Sequence, residues 1–117
     1  MDKITIVLNE GPSSMRTWNG LRVAVGAVGN DMDVEIFLLD ASVYAAKKGQ
    51  NPPNGLTELN LAEKFDELIK SNVTVTACGT CVEAGGLTKE EMVDGIIVGS
   101  IIDLTNSIKA SNNVLVF

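Results

Sequence analysis

Two cysteines, three positions apart, are the strongest candidates for chemistry in this sequence. Cys78 and Cys81 are its two cysteines, and they enclose a glycine and a threonine. The thiolate form of cysteine is a reactive nucleophile, and neighbouring thiols can exchange sulfur through disulfide-type bonds. The chain has no histidine, which removes the usual general base and the commonest metal ligand. Catalysis would therefore depend on these thiols, on carboxylates, on lysines or on backbone dipoles.

The Cys-Gly-Thr-Cys turn is open to other interpretations. Free cysteines often pack as small apolar residues, and a thioredoxin-like site or half of a zinc site would use the same spacing. A thioredoxin-like site needs a proline that faces the cysteines, whereas all prolines of this chain precede them in loops, at positions 12, 52 and 53. A zinc site needs four ligands, which only a symmetric oligomer or added carboxylates could supply. We therefore predict no metal and favour Cys78 and Cys81 as reactive thiols.

The cysteine turn directly follows a predicted strand. Residues 73–77 are rich in β-branched side chains, which is typical of a buried strand. Ligands collect at the carboxyl ends of strands in open parallel sheets, so this turn is expected at the active edge. If a short helical turn runs from Cys78 to Glu83, its unpaired backbone N–H groups would stabilise a Cys78 thiolate.

Charged residues near the predicted strand and helix ends are weaker candidates. Glu10, Asp40 and Glu83 could share the same edge, where a carboxylate can act as a base or raise the pKa of a thiol by repulsion. Lys47 and Lys48 end a predicted helix and could reach toward an anionic persulfide. Helix caps and solvated charges are the commoner roles of such residues.

Five short apolar runs alternate with helical patterns along the chain. Strands are predicted over residues 4–8, 34–39, 73–77, 96–98 and 114–117. Helices are predicted over residues 15–28, over 40–48 with Asp40 as the cap, after Asn60, between Thr88 and Gly95, and after Ser100. The apolar stripes of the first and last helices are predicted to be Trp18, Leu21, Val25 and Val28, and Ile101, Leu104 and Ile108. This alternation predicts an α/β fold with a parallel sheet covered on both faces.

Length and composition exclude several classes of protein. A chain of 117 residues with 45% apolar content suits one domain, spanning residues 1–117. The net charge of -6, without a basic cluster, disfavours binding to nucleic acid or to an anionic membrane. No apolar run approaches the roughly 20 residues of a membrane span, and no export signal precedes the first strand, so we expect a cytoplasmic protein. The loop of residues 9–14 lacks a glycine-rich phosphate pattern, and no cofactor is predicted.

The whole chain resembles the DsrE/DsrF-like sulfur-relay superfamily, and most closely its small YchN-like members. The resemblance lies in residues 17–22 (Thr-Trp-Asn-Gly-Leu-Arg), 44–51 (Tyr-Ala-Ala-Lys-Lys-Gly-Gln-Asn), 77–81 (Ala-Cys-Gly-Thr-Cys), 87–88 (Leu-Thr) and 113–117 (Asn-Val-Leu-Val-Phe). Several matches in one order are far more specific than the cysteine pair alone. The resemblance implies a three-layer α/β/α sandwich with a five-stranded parallel sheet, assembled into homotrimers or homohexamers. A Phe117 exposed at the end of the sheet is expected to favour such assembly.

The resemblance also implies a function for the two thiols. In sulfur-relay members a cysteine at this strand end holds sulfane sulfur as a persulfide and passes it from a donor protein to an acceptor protein, and Cys78 matches that position. Cys81 would be a second thiol, which either resolves the persulfide into a disulfide or accepts the sulfur itself. The chain departs from many relatives at Gly85, where they carry an arginine, so a possible anion partner is missing. The alternatives are a non-catalytic oligomeric assembly module and a dithiol redox switch.

Overall fold

A five-stranded sheet forms the centre of the protein, and all of its strands are parallel. The computed structural model describes residues 2–56 and 59–117. The strands are β1 (Lys3–Leu8), β2 (Asp33–Leu38), β3 (Thr74–Cys78), β4 (Ile97–Gly99) and β5 (Asn113–Val116). They lie in the order β4-β3-β2-β1-β5, and every neighbouring pair is parallel. The predicted five-stranded parallel sheet is thus confirmed, and each predicted strand is present with its ends shifted by no more than a residue or so.

Helices cover both faces of this sheet. The α-helices are α1 (Met15–Gly29), α2 (Leu61–Lys70), α3 (Gly79–Ala84) and α4 (Ile101–Ala110). The main core lies on the face of α1, α2 and α3 and contains Leu21, Phe65 and Val82. A small second cluster of Val7, Phe37 and Leu104 lies beneath α4 on the other face. The three-layer α/β/α sandwich is therefore confirmed. Within the part of the chain that is described, no helix is long and apolar enough to cross a membrane.

Polar side chains join α4 to the sheet. The hydroxyls of Thr5 on β1 and Ser107 on α4 lie 2.7 Å apart and are buried. Ser107 also donates to the carboxylate of Glu35, which pairs with the Lys3 ammonium at 2.7 Å. A buried polar group costs free energy unless it has a partner, and these contacts supply one. A polar network therefore joins α4 to the sheet in addition to the small apolar cluster on this face.

The buried stripe of α1 differs from the predicted one. The buried residues of the helix are Thr17, Gly20, Leu21, Ala24 and Ala27, whereas Val25 is 48% exposed. Gly20, Ala24 and Ala27 are small enough to let this face of the helix approach the sheet closely, and Val25 lies outside that face. At Gly20 the helix comes so close to β1 that a Cβ there would lie 2.5 Å from Leu8 Cδ2.

The predicted helix over residues 40–48 is wrong in type and in its cap. A 3-10 helix covers Asp40–Ala46, and its cap residue is Leu39, without a side-chain capping bond. The Ser42 hydroxyl donates to the carbonyls of Leu39 and Leu8, which ties this turn to the end of β1. After Ala46 the chain leaves the helix and pairs with the segment that precedes β4, through Val93 N–H to Ala46 O at 2.9 Å. Tertiary contacts therefore override the helical pattern.

The helix predicted between Thr88 and Gly95 shrinks to one turn. The Thr88 and Glu91 capping box is present, but the 3-10 helix covers only Lys89–Glu91. The following chain buries Met92, Val93 and Ile96 in the main core instead. Gly95 has a φ of +95°, a left-handed conformation that turns the chain into β4.

Exposed apolar side chains lie on α4 and on the two edge strands of the sheet, β4 and β5. Of the predicted stripe on α4, Leu104 is buried, but Ile101 and Ile108 are 58% and 41% exposed. Phe117 was predicted to be exposed, and this prediction is wrong. Its ring is half-buried against α1, 3.3 Å from where a Gly20 Cβ would lie. Further exposed apolar residues lie on β4 and β5: Ile97, Val98, Val114, Leu115 and Val116.

Two glycines of α1 give opposite expectations for the same substitution. Gly20→Ala places a methyl group against Leu8 and Phe117, and such overpacking costs about 1–3 kcal/mol of unfolding free energy. Gly26 has nothing within 4 Å of its would-be Cβ, so Gly26→Ala gains helix propensity of about 1 kcal/mol. Urea unfolding should show Gly20→Ala less stable, and Gly26→Ala more stable, than the unsubstituted protein. Equal effects would contradict this packing of α1.

Candidate functional site

Cys78 lies where β3 ends and α3 begins. It is the last residue of the strand, where it pairs with Gly99 of β4, and it is also the N-cap residue of α3. Its sulfur accepts the backbone N–H of Cys81 at 3.4 Å. An N–H directed at a sulfur stabilises negative charge on that sulfur. The predicted thiol at the carboxyl end of a central strand is therefore where the sequence placed it, and it is partly accessible.

Cys81 is positioned by the end of the neighbouring strand β2. Its sulfur accepts the backbone N–H of Asp40 at 3.2 Å. Asp40 has a φ of +52°, in the left-handed region that non-glycine residues rarely adopt. The predicted role of Asp40 as a helix cap is therefore wrong, and the residue instead supplies a backbone donor to a thiol.

The environment of Cys81 keeps it protonated. Burial raises the pKa of the Cys81 thiol, and so do its hydrogen bond with the Cys78 side chain and the negative charges of Cys78 and Asp40. The Asp40 N–H acts in the opposite direction. Because an ordinary cysteine is already mostly a thiol at pH 7, a raised pKa leaves Cys81 as S–H there. Cys81 is therefore suited to donate a proton.

The two sulfurs border different depressions of the surface. Cys81 lines a cavity of about 290 Å³ together with Asp40, Tyr44, Thr80 and Gly85, which we call the Cys81 cavity. Cys78 lines a wider depression of about 580 Å³ with Thr80, Glu83, Lys89, Ser100 and Ile101, which we call the Cys78 groove. Thr80 borders both. The first turn of α3 thus presents one thiol on each side.

Of the predicted charged candidates, Asp40 and Glu83 border the two thiols. Asp40 lines the Cys81 cavity, and Glu83 lines the Cys78 groove. Glu10 forms an ion pair with Arg16 at 3.3 Å instead. The Lys48 ammonium pairs with Asp94 at 3.0 Å, and Lys47 bridges to the backbone of Met92. Neither lysine lines the Cys81 cavity or the Cys78 groove, so the weaker alternative of a contact with a sulfur anion gains no support from the fold.

Tyr44 lines the Cys81 cavity and Lys89 lines the Cys78 groove, and the sequence did not predict either as a site residue. The Tyr44 hydroxyl donates to the carbonyl of Gly85, 41 positions away in the chain. A Cβ at Gly85 would lie 2.8 Å from that hydroxyl, so an arginine there would displace Tyr44. Lys89 supplies a cation to the Cys78 groove. Only the position of Tyr44 in the stretch 44–51 hinted at its importance, since neither contact follows from a local pattern.

Metal binding finds little support in the side chains of this site. Within residues 2–56 and 59–117, no group of three or more cysteine, aspartate or glutamate side chains is placed to hold an ion. The two thiols alone do not complete the four ligands of a structural zinc site.

Comparison with known proteins identifies the family. The family model described as the DsrE/DsrF-like family matches residues 2–117. The chain belongs to the DsrE/DsrF-like family. An uncharacterised protein of Methanopyrus kandleri is 37% identical over 118 residues, which cover 100% of this chain and 95% of that protein. An uncharacterised protein of Methanocaldococcus jannaschii is 36% identical, with 98% and 99% of the two chains covered.

YchN of Escherichia coli relates this DsrE/DsrF-like chain to a solved structure. Protein YchN is 31% identical over 120 residues, and the match covers 100% of both chains. Its crystal structure superimposes with a TM-score of 0.91 over 100% of both chains. The arrangement of β3, Cys78 and α3 therefore belongs to a fold that also exists in a crystal structure of the same family.

Replacement of the Asp40 carboxylate is expected to change how Cys81 titrates. Asp40→Asn retains a side chain that tolerates the left-handed conformation and removes a negative charge that raises the pKa of Cys81. The pKa of Cys81 should fall, so its alkylation by iodoacetamide, followed by peptide mass spectrometry against pH, should begin at lower pH.

Asp31→Asn provides the matched control for this substitution. Asp31 also has a positive φ, of 58°, but it lies in the turn after α1. Its replacement should leave the alkylation profile of Cys81 unchanged. An unmoved profile in Asp40→Asn, or the same shift in both variants, would contradict the electrostatic contact between Asp40 and Cys81.

Proposed function

We propose that this protein is a sulfur-carrier or sulfurtransferase subunit that holds sulfane sulfur as a persulfide on Cys78 and passes it to a partner protein. The observation that carries the proposal is the partly accessible Cys78 sulfur at the carboxyl end of β3, with a backbone N–H directed at it. Membership of the DsrE/DsrF-like family, which is often linked to sulfur relay, supports the same chemistry.

The proposed reaction is a transfer of sulfur between thiols. The Cys78 thiolate attacks the outer sulfur of a donor persulfide, a new S–S bond forms on Cys78, and the donor thiol leaves. The Cys78 groove is wide enough to receive the reacting segment of a donor, and Lys89 at its border can balance the charge of an anionic persulfide. No redox cofactor is needed, because one S–S bond replaces another.

Assembly into a homotrimer or homohexamer is part of the proposal. Ile97, Val98, Ile101 and Ile102 are exposed on β4 and the first turn of α4, and large exposed apolar patches mark interaction surfaces. Val98 and Ile101 also border the Cys78 groove, so a neighbouring subunit at this patch would lie close to the nucleophile. A cytoplasmic location suits two free thiols, which a reducing compartment maintains.

A dithiol redox switch is the second candidate function. The hydrogen bond between the Cys81 N–H and the Cys78 sulfur places the two thiols on one turn, from which a disulfide can form. The switch would be seen as a reversible Cys78–Cys81 disulfide in a redox buffer series. A purely structural assembly module would instead tolerate replacement of both cysteines.

Loading with a sulfur donor tests the sulfur-carrier function. After a brief incubation with a donor persulfide, intact mass spectrometry should show an added mass of about 32 Da, one sulfur atom, which peptide mass spectrometry should locate on Cys78. Cys78→Ser should gain this adduct several-fold more slowly, whereas Cys81→Ser should gain it as fast as the unsubstituted protein. An unmodified Cys78 under excess donor would refute the function, and a mass loss of two hydrogens would favour the redox switch.

The exposed patch on β4 and α4 predicts the assembly state. Sedimentation at micromolar concentration should give a trimer or hexamer, and Ile102→Glu should shift it toward monomer because a charge would enter an apolar interface. Val25→Glu is the matched control, since Val25 is also exposed, at 48%, but lies on α1. A clean monomer of the unsubstituted protein would contradict the assembly.

A further inference from the structure

The two thiols share a contact and yet open to different sides of the molecule. The Cys81 N–H donates to the Cys78 sulfur at 3.4 Å, so the two residues are in direct contact. Cys78 lines the Cys78 groove, whereas Cys81 lines the Cys81 cavity beside Asp40 and Tyr44. A ligand bound in the groove therefore reaches one sulfur, and a ligand bound in the cavity reaches the other.

We propose that Cys81 is a second sulfur-carrying residue, which takes sulfane sulfur from Cys78 and presents it to an acceptor thiol in the Cys81 cavity. Donor and acceptor would then use separate sites on the same chain, joined by the first turn of α3. This inference rests on the sulfur-carrier function proposed above and adds a direction to it.

The step balances without an oxidant or a reductant. The Cys81 sulfur attacks the outer sulfur of the Cys78 persulfide, a Cys81–sulfur bond forms, and the bond between Cys78 Sγ and that outer sulfur breaks. The Cys81 proton passes to the departing Cys78 sulfur, which already accepts the backbone N–H of Cys81. One thiol and one persulfide are present before and after the transfer.

The geometry favours this order of the two cysteines. The Cys78 sulfur borders the larger groove and accepts the Cys81 N–H, so a donor in the groove meets Cys78 first. Burial and neighbouring negative charge raise the pKa of the Cys81 thiol, which suits it to the second step. Asp40 is the positioning residue for the second step, because its N–H is directed at the Cys81 sulfur. The cavity of about 290 Å³ leaves room beside Cys81 for an added sulfur and for an approaching thiol.

Time-resolved localisation of the sulfur label tests the transfer. The protein is treated with less than one equivalent of inorganic polysulfide, quenched at intervals with iodoacetamide, and digested for peptide mass spectrometry. The extra sulfur should appear on Cys78 first and on Cys81 later. In Cys81→Ser it should remain on Cys78, and its discharge to glutathione should slow several-fold. In Cys78→Ser, Cys81 should load several-fold more slowly.

Each contrary result has its own meaning. If Cys78 loads but the label never reaches Cys81, and discharge is the same in Cys81→Ser, the second site is refuted while the carrier function stands. A Cys78–Cys81 disulfide with release of hydrogen sulfide, or equally fast loading of Cys81 in Cys78→Ser, also refutes the second site. If Cys78 never loads, the carrier function itself fails.

A pair of alanines tests whether the Cys81 cavity is the exit. Ala84 is the exposed last residue of α3 and lines the cavity, so Ala84→Phe should slow discharge of the label to glutathione several-fold by obstructing it. Ala110 is the exposed last residue of α4, and Ala110→Phe should leave discharge unchanged. Discharge at the same rate in both variants would place the exit elsewhere and overturn the inference.

Discussion

The parallel register of β2 and β3 is the constraint on which the site depends. Leu38 pairs with Ala77, so both strands end at the same level of the sheet. Asp40 and Cys81 then meet just beyond the two strand ends, where the Asp40 N–H reaches the Cys81 sulfur. The pairing is fixed by strands whose side chains are largely buried on both faces, so a slip of register would cost much of the core. The thiol environment is therefore a consequence of core packing.

The sequence predicted the sheet better than the connections. Short apolar runs rich in β-branched residues are a local signal, and all five strands were found from them. The α-helix predicted over residues 40–48 is wrong because the local helical pattern competes with the hydrogen bond from the Ser42 hydroxyl to the distant carbonyl of Leu8. The predicted burial of Val25 on α1 is wrong because the face that packs closest to the sheet carries small residues, whose low hydrophobicity makes that face hard to recognise in the sequence. Long-range contacts and close packing are not visible in local periodicity.

The candidate site was predicted in part for similar reasons. Cys78 could be placed because the end of a buried strand is readable from the sequence and its residue type is reactive. The partners of Cys81 could not, since the Asp40 donor depends on a backbone conformation and the Tyr44 hydroxyl reaches Gly85 across 41 positions. The resemblance implied that an anion partner is missing because Gly85 replaces an arginine, whereas the fold supplies a cation to the Cys78 groove from Lys89. Chemistry of a residue is local, but its surroundings are a property of the fold.

The left-handed backbone at Asp40 has a consequence for the evolution of this position. Glycine, asparagine and aspartate are the residues that adopt a φ of +52° at low cost, so most substitutions there are strained whatever the thiols do. If relatives carry only a few residue types at this position, the backbone conformation alone is a sufficient explanation for that restriction. Only the choice of aspartate over asparagine or glycine would report selection for negative charge beside the second thiol.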